Sequence, residues 1–548
     1  MEREAKPIPF GPEQKPWRET LSTFARSTTG EFLVTPPSED LVQCYAKQRV
    51  EGITTSWYQV PSTGLTLEQQ SQAQQETQKL LQYYTSNMLG FQANLDLEYT
   101  SAAQPYTFFH LNNHGDPFVQ YRAGFDTKWM ERSVLDYYAS LWHAKWPHNP
   151  NDPATYWGYV LTMGATEGNL MALYMAREYL SGVITATEPA GDSSQHYLQA
   201  ECPKDNANAF TPLAFYSHES HNSIQKALRL LKIPSFCEFG TQKYPSENPI
   251  GGPWPEEVPC TGGDAGPGTI DIDALSKLVD FFTAKGHPII VIFNYGTTIK
   301  GTYDDVKAAG EALIPILKKN NMHARKVVYD PKKPEQHSVC QGFWFHVDGA
   351  LGASYMPFVR MAHEHSLISE DPGPAFDFQL DFVSSIVTSG HKWTGAPYPC
   401  GILLLRSGLR ALPLTQPEFS GLVETTLAGS RNGLSALLLW MYISTHSYDT
   451  QVKMAVHCVE LAQYTVKKLK ELENELNQDL WVSRFPASFA VLFRKPCAEV
   501  CRKYTLPFFT LNIRGQERLF VHVYLMSSVT TERIDELISD LRKPETFE

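Results

Sequence analysis

Five short apolar runs, at residues 213–216, 289–294, 344–347, 384–388 and 401–405, constrain the fold of this 548-residue chain more than any other feature. Each is too short to be a core helix and is rich in Ile, Val, Leu or aromatic residues. Each therefore reads as a strand buried on both faces. Stretches with helical spacing, at 223–231, 272–285 and 306–319, fall between most of them. Strands alternating with helices give an α/β protein with a mainly parallel sheet and helices on both faces.

Around this centre the pattern changes. Residues 1–35 carry Pro, Gly, Ser and Thr without an apolar period and read as an arm. A Gln-rich helix is expected over 67–89, with Thr66 as its N-cap and Gln69 completing a capping box. Helical spacing recurs at 129–146 and 168–180. Three polar stretches, 186–208, 244–269 and 325–341, read as long loops or insertions. One long helix is expected over 434–475. Strands at 482–485, 490–494 and 520–524 and a helix at 531–541 follow, as a smaller α+β unit. The division expected is an N-terminal arm and helical segment at 1–125, a large domain at 126–433 and a small C-terminal α+β domain at 434–548.

Net charge of −12 argues against a general nucleic-acid or anionic-membrane binder. The nine cysteines are sparse and odd in number, which is not a disulfide scaffold. Cys497 and Cys501 lie four apart without a second pair to complete a zinc pattern, so no metal is expected. The N-terminus lacks the apolar stretch of a signal peptide, and no apolar run could span a bilayer. A cytoplasmic location is the expectation.

Five polar motifs sit at or just after strand ends, where ligands bind in sheets of this kind. Lys392, in Ser389-Gly-His-Lys-Trp393, closes the run SSIVTS. It reads either as a lysine that snorkels from the core or as an amine desolvated for attack on a carbonyl. Asp348 ends WFHVD and is costly to bury without a cation such as a protonated pyridine nitrogen; a helix cap or turn is the other reading. In GATEGN, at 164–169, small residues would let backbone amides approach a phosphate, although Thr166 could equally be an ordinary cap. His218 and His221 in SHESHNS suggest either ring stacking or a metal lacking a third ligand. NYGTTIKG, at 294–301, is the fifth motif.

Together these motifs resemble the group II pyridoxal-phosphate-dependent amino-acid decarboxylases, and their wording is closest to the histidine and serine decarboxylase branch. The stretches that carry the resemblance are HLNNHGDPF (110–118), GATEGN, SHESHNS, NYGTTIKGTYDD (294–305), HVDGALGA (346–353), SGHKWTGAPYPCGIL (389–403) and GSRNG (429–433). The resemblance implies the type I aminotransferase fold with a seven-stranded, mainly parallel sheet, and a homodimer with shared active sites. It implies pyridoxal 5'-phosphate as cofactor and an amino acid of histidine, serine or aromatic type as substrate, decarboxylated to the amine. Lys392 would carry the cofactor, Asp348 would pair with its ring nitrogen, His221 would stack on the ring and Ala350 would pack on the other face. Ala165, Thr166, Ser389 and His391 would approach the phosphate, and Thr298 the phenolic oxygen. His110 and Asn113 would be substrate-side residues.

The chain departs from the family at two places. Phe419 stands in the loop before GSRNG where the related decarboxylases carry a tyrosine. A phenol can deliver a proton to Cα and a phenyl ring cannot. Phenylalanine at that position goes with an oxidative outcome in aromatic-acid relatives, in which O₂ leads to an aldehyde. Leu434 follows GSRNG where the branch usually has histidine, which weakens the case for an imidazole substrate. Amine-forming decarboxylase, aldehyde synthase and catalytically silent scaffold are thus the competing functions. Retention of Lys392, Asp348 and His221 argues against the scaffold.

Overall fold

The computed structural model describes residues 58, 60–95, 98–120, 124–187, 195–411 and 424–547. At its centre is a six-stranded sheet, in the order β1-β10-β9-β8-β5-β4. The strands are β1 (Tyr156–Leu161), β4 (Leu213–Phe215), β5 (Ile289–Asn294), β8 (Phe343–Asp348), β9 (Val383–Ser389) and β10 (Gly401–Arg406). All five apolar runs form strands of this sheet. Among the described residues it has six strands, not seven. Three neighbouring pairs are parallel, and β10 is antiparallel to both β9 and β1. The short link between β9 and β10 leaves no room for a crossover helix, so β10 runs opposite to the other five.

The two-residue period of β5 divides the core. Ile289, Val291 and Phe293 pack on one face with Leu275 and Phe282. Ile290 and Ile292 pack on the other with Met171 and Met175 of the helix Ala165–Leu180. Both faces are covered, which explains why these strands read as continuous apolar runs rather than alternating ones.

The Gln-rich helix α1 (Leu67–Asn87) begins with the expected Thr66–Gln69 capping box. Helix α2 (Lys128–Leu141) precedes β1, and α3 (Ala165–Leu180) follows it. Helix α4 (Asn222–Leu231) follows β4. The stretches 186–208 and 325–341 are less loop-like than their composition implies. The first includes most of the hairpin β2 (Val183–Thr187) and β3 (Gln195–Gln199), and the second the hairpin β6 (Arg325–Val328) and β7 (His337–Cys340). After residue 434 the expected single helix is two, Gly433–Thr445 and Tyr448–Leu476. The second starts afresh because the Ser447 side chain caps the backbone N–H of Thr450. Residues 482–485 form only an isolated bridge, Ser483 to Leu492. The small antiparallel sheet is β11 (Ala490–Arg494), β13 (Gln516–Tyr524) and β12 (Phe508–Ile513). Among the described residues no helix is long and apolar enough to cross a membrane.

Candidate active site

Five strands run the same way, so the carboxyl ends of β1, β4, β5, β8 and β9 share one edge of the sheet. The five polar motifs lie there. They enclose a cavity of ≈ 230 Å³ lined by Lys392, Asp348, His221, Ala165, Thr166, Thr298, Ala350, Ser389 and His391, with Gln92 behind the lysine. Every cofactor-side residue expected from the sequence is therefore on its wall.

The turn after β9 places Lys392, whose Nζ donates to Gln92 Oε1 at 2.7 Å. Burial pushes its amine down to about 8, against the opposing attraction of Asp348. Gln92 Nε2 in turn donates to the Thr298 carbonyl at 3.2 Å. Asn94 holds the lysine backbone, its N–H donating to the Lys392 carbonyl at 2.9 Å. Nothing in the irregular segment around Gln92 marks it in the sequence; only its contact with the lysine does.

Asp348, at the end of β8, is 6% exposed. Its Oδ2 accepts from Asn169 Nδ2 at 2.8 Å, and its Oδ1 from the Ala350 N–H at 3.2 Å. His221 precedes α4 and caps it, with Nδ1 accepting from the Ser223 N–H. Burial lowers the affinity of His221 for a proton, with Asp348 opposing.

Helix α3 starts at Gly164, which has φ 71° and makes no side-chain cap. The first turn thus has no acceptor from its own N-cap residue and opens onto the cavity beside Ser389, whose Oγ accepts from the Ala165 N–H at 3.2 Å. His391 lies against Gly164: a Cβ there would stand 2.6 Å from its Cε1. Glu219 adds a carboxylate to the wall, with Oε1 3.0 Å from Lys300 Nζ.

The substrate-side expectations fare differently. Asn113 is a correction. It is 1% exposed, donates to Glu131 Oε2 at 2.8 Å and accepts from the Thr127 N–H at 2.8 Å. Glu131 also pairs with Arg431, the arginine of GSRNG, in a buried ion pair. Asn113 therefore clamps the HLNNHGDPF segment to α2, and its amide is consumed in doing so. His110 is exposed and does not line the cavity from its own chain. Phe419 lies outside the described residues.

A desolvated amine, a buried carboxylate and a helix N-terminus without a side-chain cap converge on one cavity. These groups fit the aldehyde, the ring nitrogen and the phosphate of pyridoxal phosphate respectively. Comparison with known proteins agrees. Residues 257–479 match the pyridoxal-dependent decarboxylase conserved domain. The structure of L-methionine decarboxylase from Streptomyces sp. 590 superposes with a TM-score of 0.83 at 40% identity, covering 89% of this chain and 97% of that one. Histidine decarboxylase of Solanum lycopersicum is 27% identical, over 84% of this chain and 85% of its own. Serine decarboxylase 3 of Oryza sativa subsp. japonica is 28% identical, over 84% and 78%. On site geometry and likeness together, the chain belongs to the group II pyridoxal-phosphate-dependent decarboxylases and is a carboxy-lyase that acts on an amino acid with pyridoxal phosphate as its cofactor.

Proposed function

We propose that the protein decarboxylates an L-amino acid with an uncharged side chain, methionine foremost, to the corresponding amine. The observation that carries this reading is the meeting of Lys392, Asp348 and the start of α3 in one cavity. Pyridoxal phosphate, when bound, supplies an electron sink for the pair left on Cα as the carboxylate departs as CO₂. Lys392 carries the cofactor on its amine, which desolvation keeps neutral enough to bond to a carbonyl. Asp348 would hold a proton on the ring nitrogen, and His221 and Ala350 would flank the ring. Ala165, Thr166, Ser389 and His391 would bind the phosphate, and Thr298 would lie near the phenolic oxygen. Enclosure by these walls orients the substrate carboxylate and limits water.

Two points support the substrate class. Likeness to the L-methionine decarboxylase is well above that to the histidine and serine decarboxylases. Among the described residues Lys392 is the one Lys or Arg lining the cavity, so the described wall offers no second fixed cation to favour an acidic side chain. A panel of twenty L-amino acids, with CO₂, amine and peroxide followed together, tests the reading. The fastest CO₂ release is expected from methionine, with amine in equal amount. An acidic amino acid as the best substrate would overturn the class.

A second reading rests on Phe419. Without a phenol to protonate Cα, O₂ would take the electron pair left by CO₂ and become hydrogen peroxide, and water would then release the carbon as an aldehyde and the nitrogen as ammonia. Oxygen uptake in step with CO₂ would favour it. We also propose a homodimer: Phe108 is 89% exposed and Phe109 65%, beside His110, which could then face the partner's cavity.

A further inference from the structure

The hydrogen bonds behind Asp348 have a direction, and the chemistry of their two ends fixes it. The indole N–H of Trp344 can only donate, and it donates to Ser385 Oγ at 2.9 Å. The Ser385 hydroxyl proton is then free for His346 Nδ1, 2.8 Å away. His346 Nε2 lies 2.8 Å from Asn169 Oδ1, and Asn169 Nδ2 lies 2.8 Å from Asp348 Oδ2. An ionised carboxylate can only accept, so Asn169 must turn its NH₂ to Asp348 and its oxygen to His346. His346 must then carry its proton on Nε2. It is fully buried, and burial pushes its ring down to about 4, so it holds one proton. Every group in the row donates toward Asp348.

The Asn169 amide also branches. Its Nδ2 meets Ser223 Oγ at 3.1 Å. With that oxygen accepting, the Ser223 hydroxyl donates to His221 Nδ1 at 2.8 Å. The Ser223 backbone N–H reaches the same nitrogen at 3.3 Å. His221 Nδ1 is thereby filled, and Nε2–H is the donor that the neutral ring has left to offer.

We propose that Trp344, Ser385, His346 and Asn169 form a one-way hydrogen-bond wire that holds the Asp348 carboxylate aimed at the ring nitrogen and, through Ser223, sets His221 as the Nε2–H tautomer. The proposal rests on the pairing of Asp348 with the ring nitrogen and deepens it. The four are positioning residues, since they act through Asp348 and His221. The physical reason is that fixed donors on a carboxylate hold its plane in one orientation. A buried amide whose orientation is locked from behind cannot turn its oxygen toward that charge.

Neutron diffraction from deuterated wild-type holoenzyme tests the tautomers directly, and ¹⁵N NMR of ring-labelled cofactor reads the protonation that the wire sustains. Deuterium is expected on Nε2 of both His346 and His221, with the ring nitrogen protonated. His346→Gln keeps a donor facing Asn169, whereas His346→Leu removes it. The leucine variant should lose the protonated ring signal in part and lose about tenfold or more in kcat, with KM within about threefold. The glutamine variant should restore both. Deuterium on His346 Nδ1, or a ring-nitrogen signal unchanged in His346→Leu, would overturn the wire while leaving the Asp348 pairing intact. An unprotonated ring nitrogen in the wild type would overturn the pairing itself, and the wire's purpose with it. If the leucine variant fails to fold, the wild-type deuterium positions and the glutamine variant decide.

Discussion

Burial alone brings the Lys392 amine toward the neutral form that the proposed cofactor attachment requires. Desolvation disfavours its ammonium form more than nearby Asp348 favours it, and the amine is held at about 8. Half the molecules then carry a neutral amine at pH 8, against roughly 0.3% for an ordinary lysine. The sign follows directly: a lowered value brings the reactive neutral form to lower pH. The rate at which apoprotein takes up cofactor covalently should therefore rise with pH and level off above about 8. A midpoint near 10, followed by cofactor absorbance after rapid mixing, would contradict the desolvation argument. Asp348→Asn should leave the fold intact and cost roughly 100- to 1000-fold in kcat, the scale expected for losing a directed charge. A loss within about threefold in steady-state assays would count against the ring-nitrogen pairing. Both residues were legible in the sequence because each breaks a rule: a charge at the end of a buried strand needs a partner. Gln92 breaks none. It reaches Lys392 across 300 positions of chain, which no local pattern reports.

At the scale of elements, the start of α3 and the clamp at Arg431 carry separate predictions. Gly164 has φ 71° and no room for a Cβ beside His391. Gly164→Ala should strain the turn and displace His391, weakening cofactor affinity by about tenfold or more, read by equilibrium dialysis. Unchanged affinity would show that the turn is not the phosphate cradle. Glu131 and Arg431 form a buried pair, 0% and 1% exposed at the side chain. Glu131→Gln should cost about 3–5 kcal/mol in denaturant unfolding, because Arg431 would be left as an uncompensated buried charge. A change below about 1 kcal/mol would contradict that view. Helices and strands were legible where the burial period was clean, as in β5 and α1. They were less so at 325–341, where Pro and Lys signal loop although main-chain pairing makes a hairpin. The break at Ser447 is marked only by the polar run 444–451, which also fits the exposed face of one continuous helix.

For the whole molecule, the sheet order explains why motifs scattered from Gly164 to Lys392 meet at one cavity. One antiparallel strand, β10, leaves five carboxyl ends on one edge, and the chemistry sits there. The family was legible because those strand-end motifs keep their wording. Asn113 misled for the same reason: its segment resembles a substrate-side motif, but only the tertiary structure shows its amide spent on Glu131 and Thr127. The central claim is that one lysine, Lys392, carries the cofactor. Borohydride reduction of the holoenzyme, followed by proteolysis and mass spectrometry, tests it most directly. The account expects a single pyridoxyl-modified peptide, with the added mass on Lys392. Modification on another lysine, with Lys392 unmodified, would contradict it.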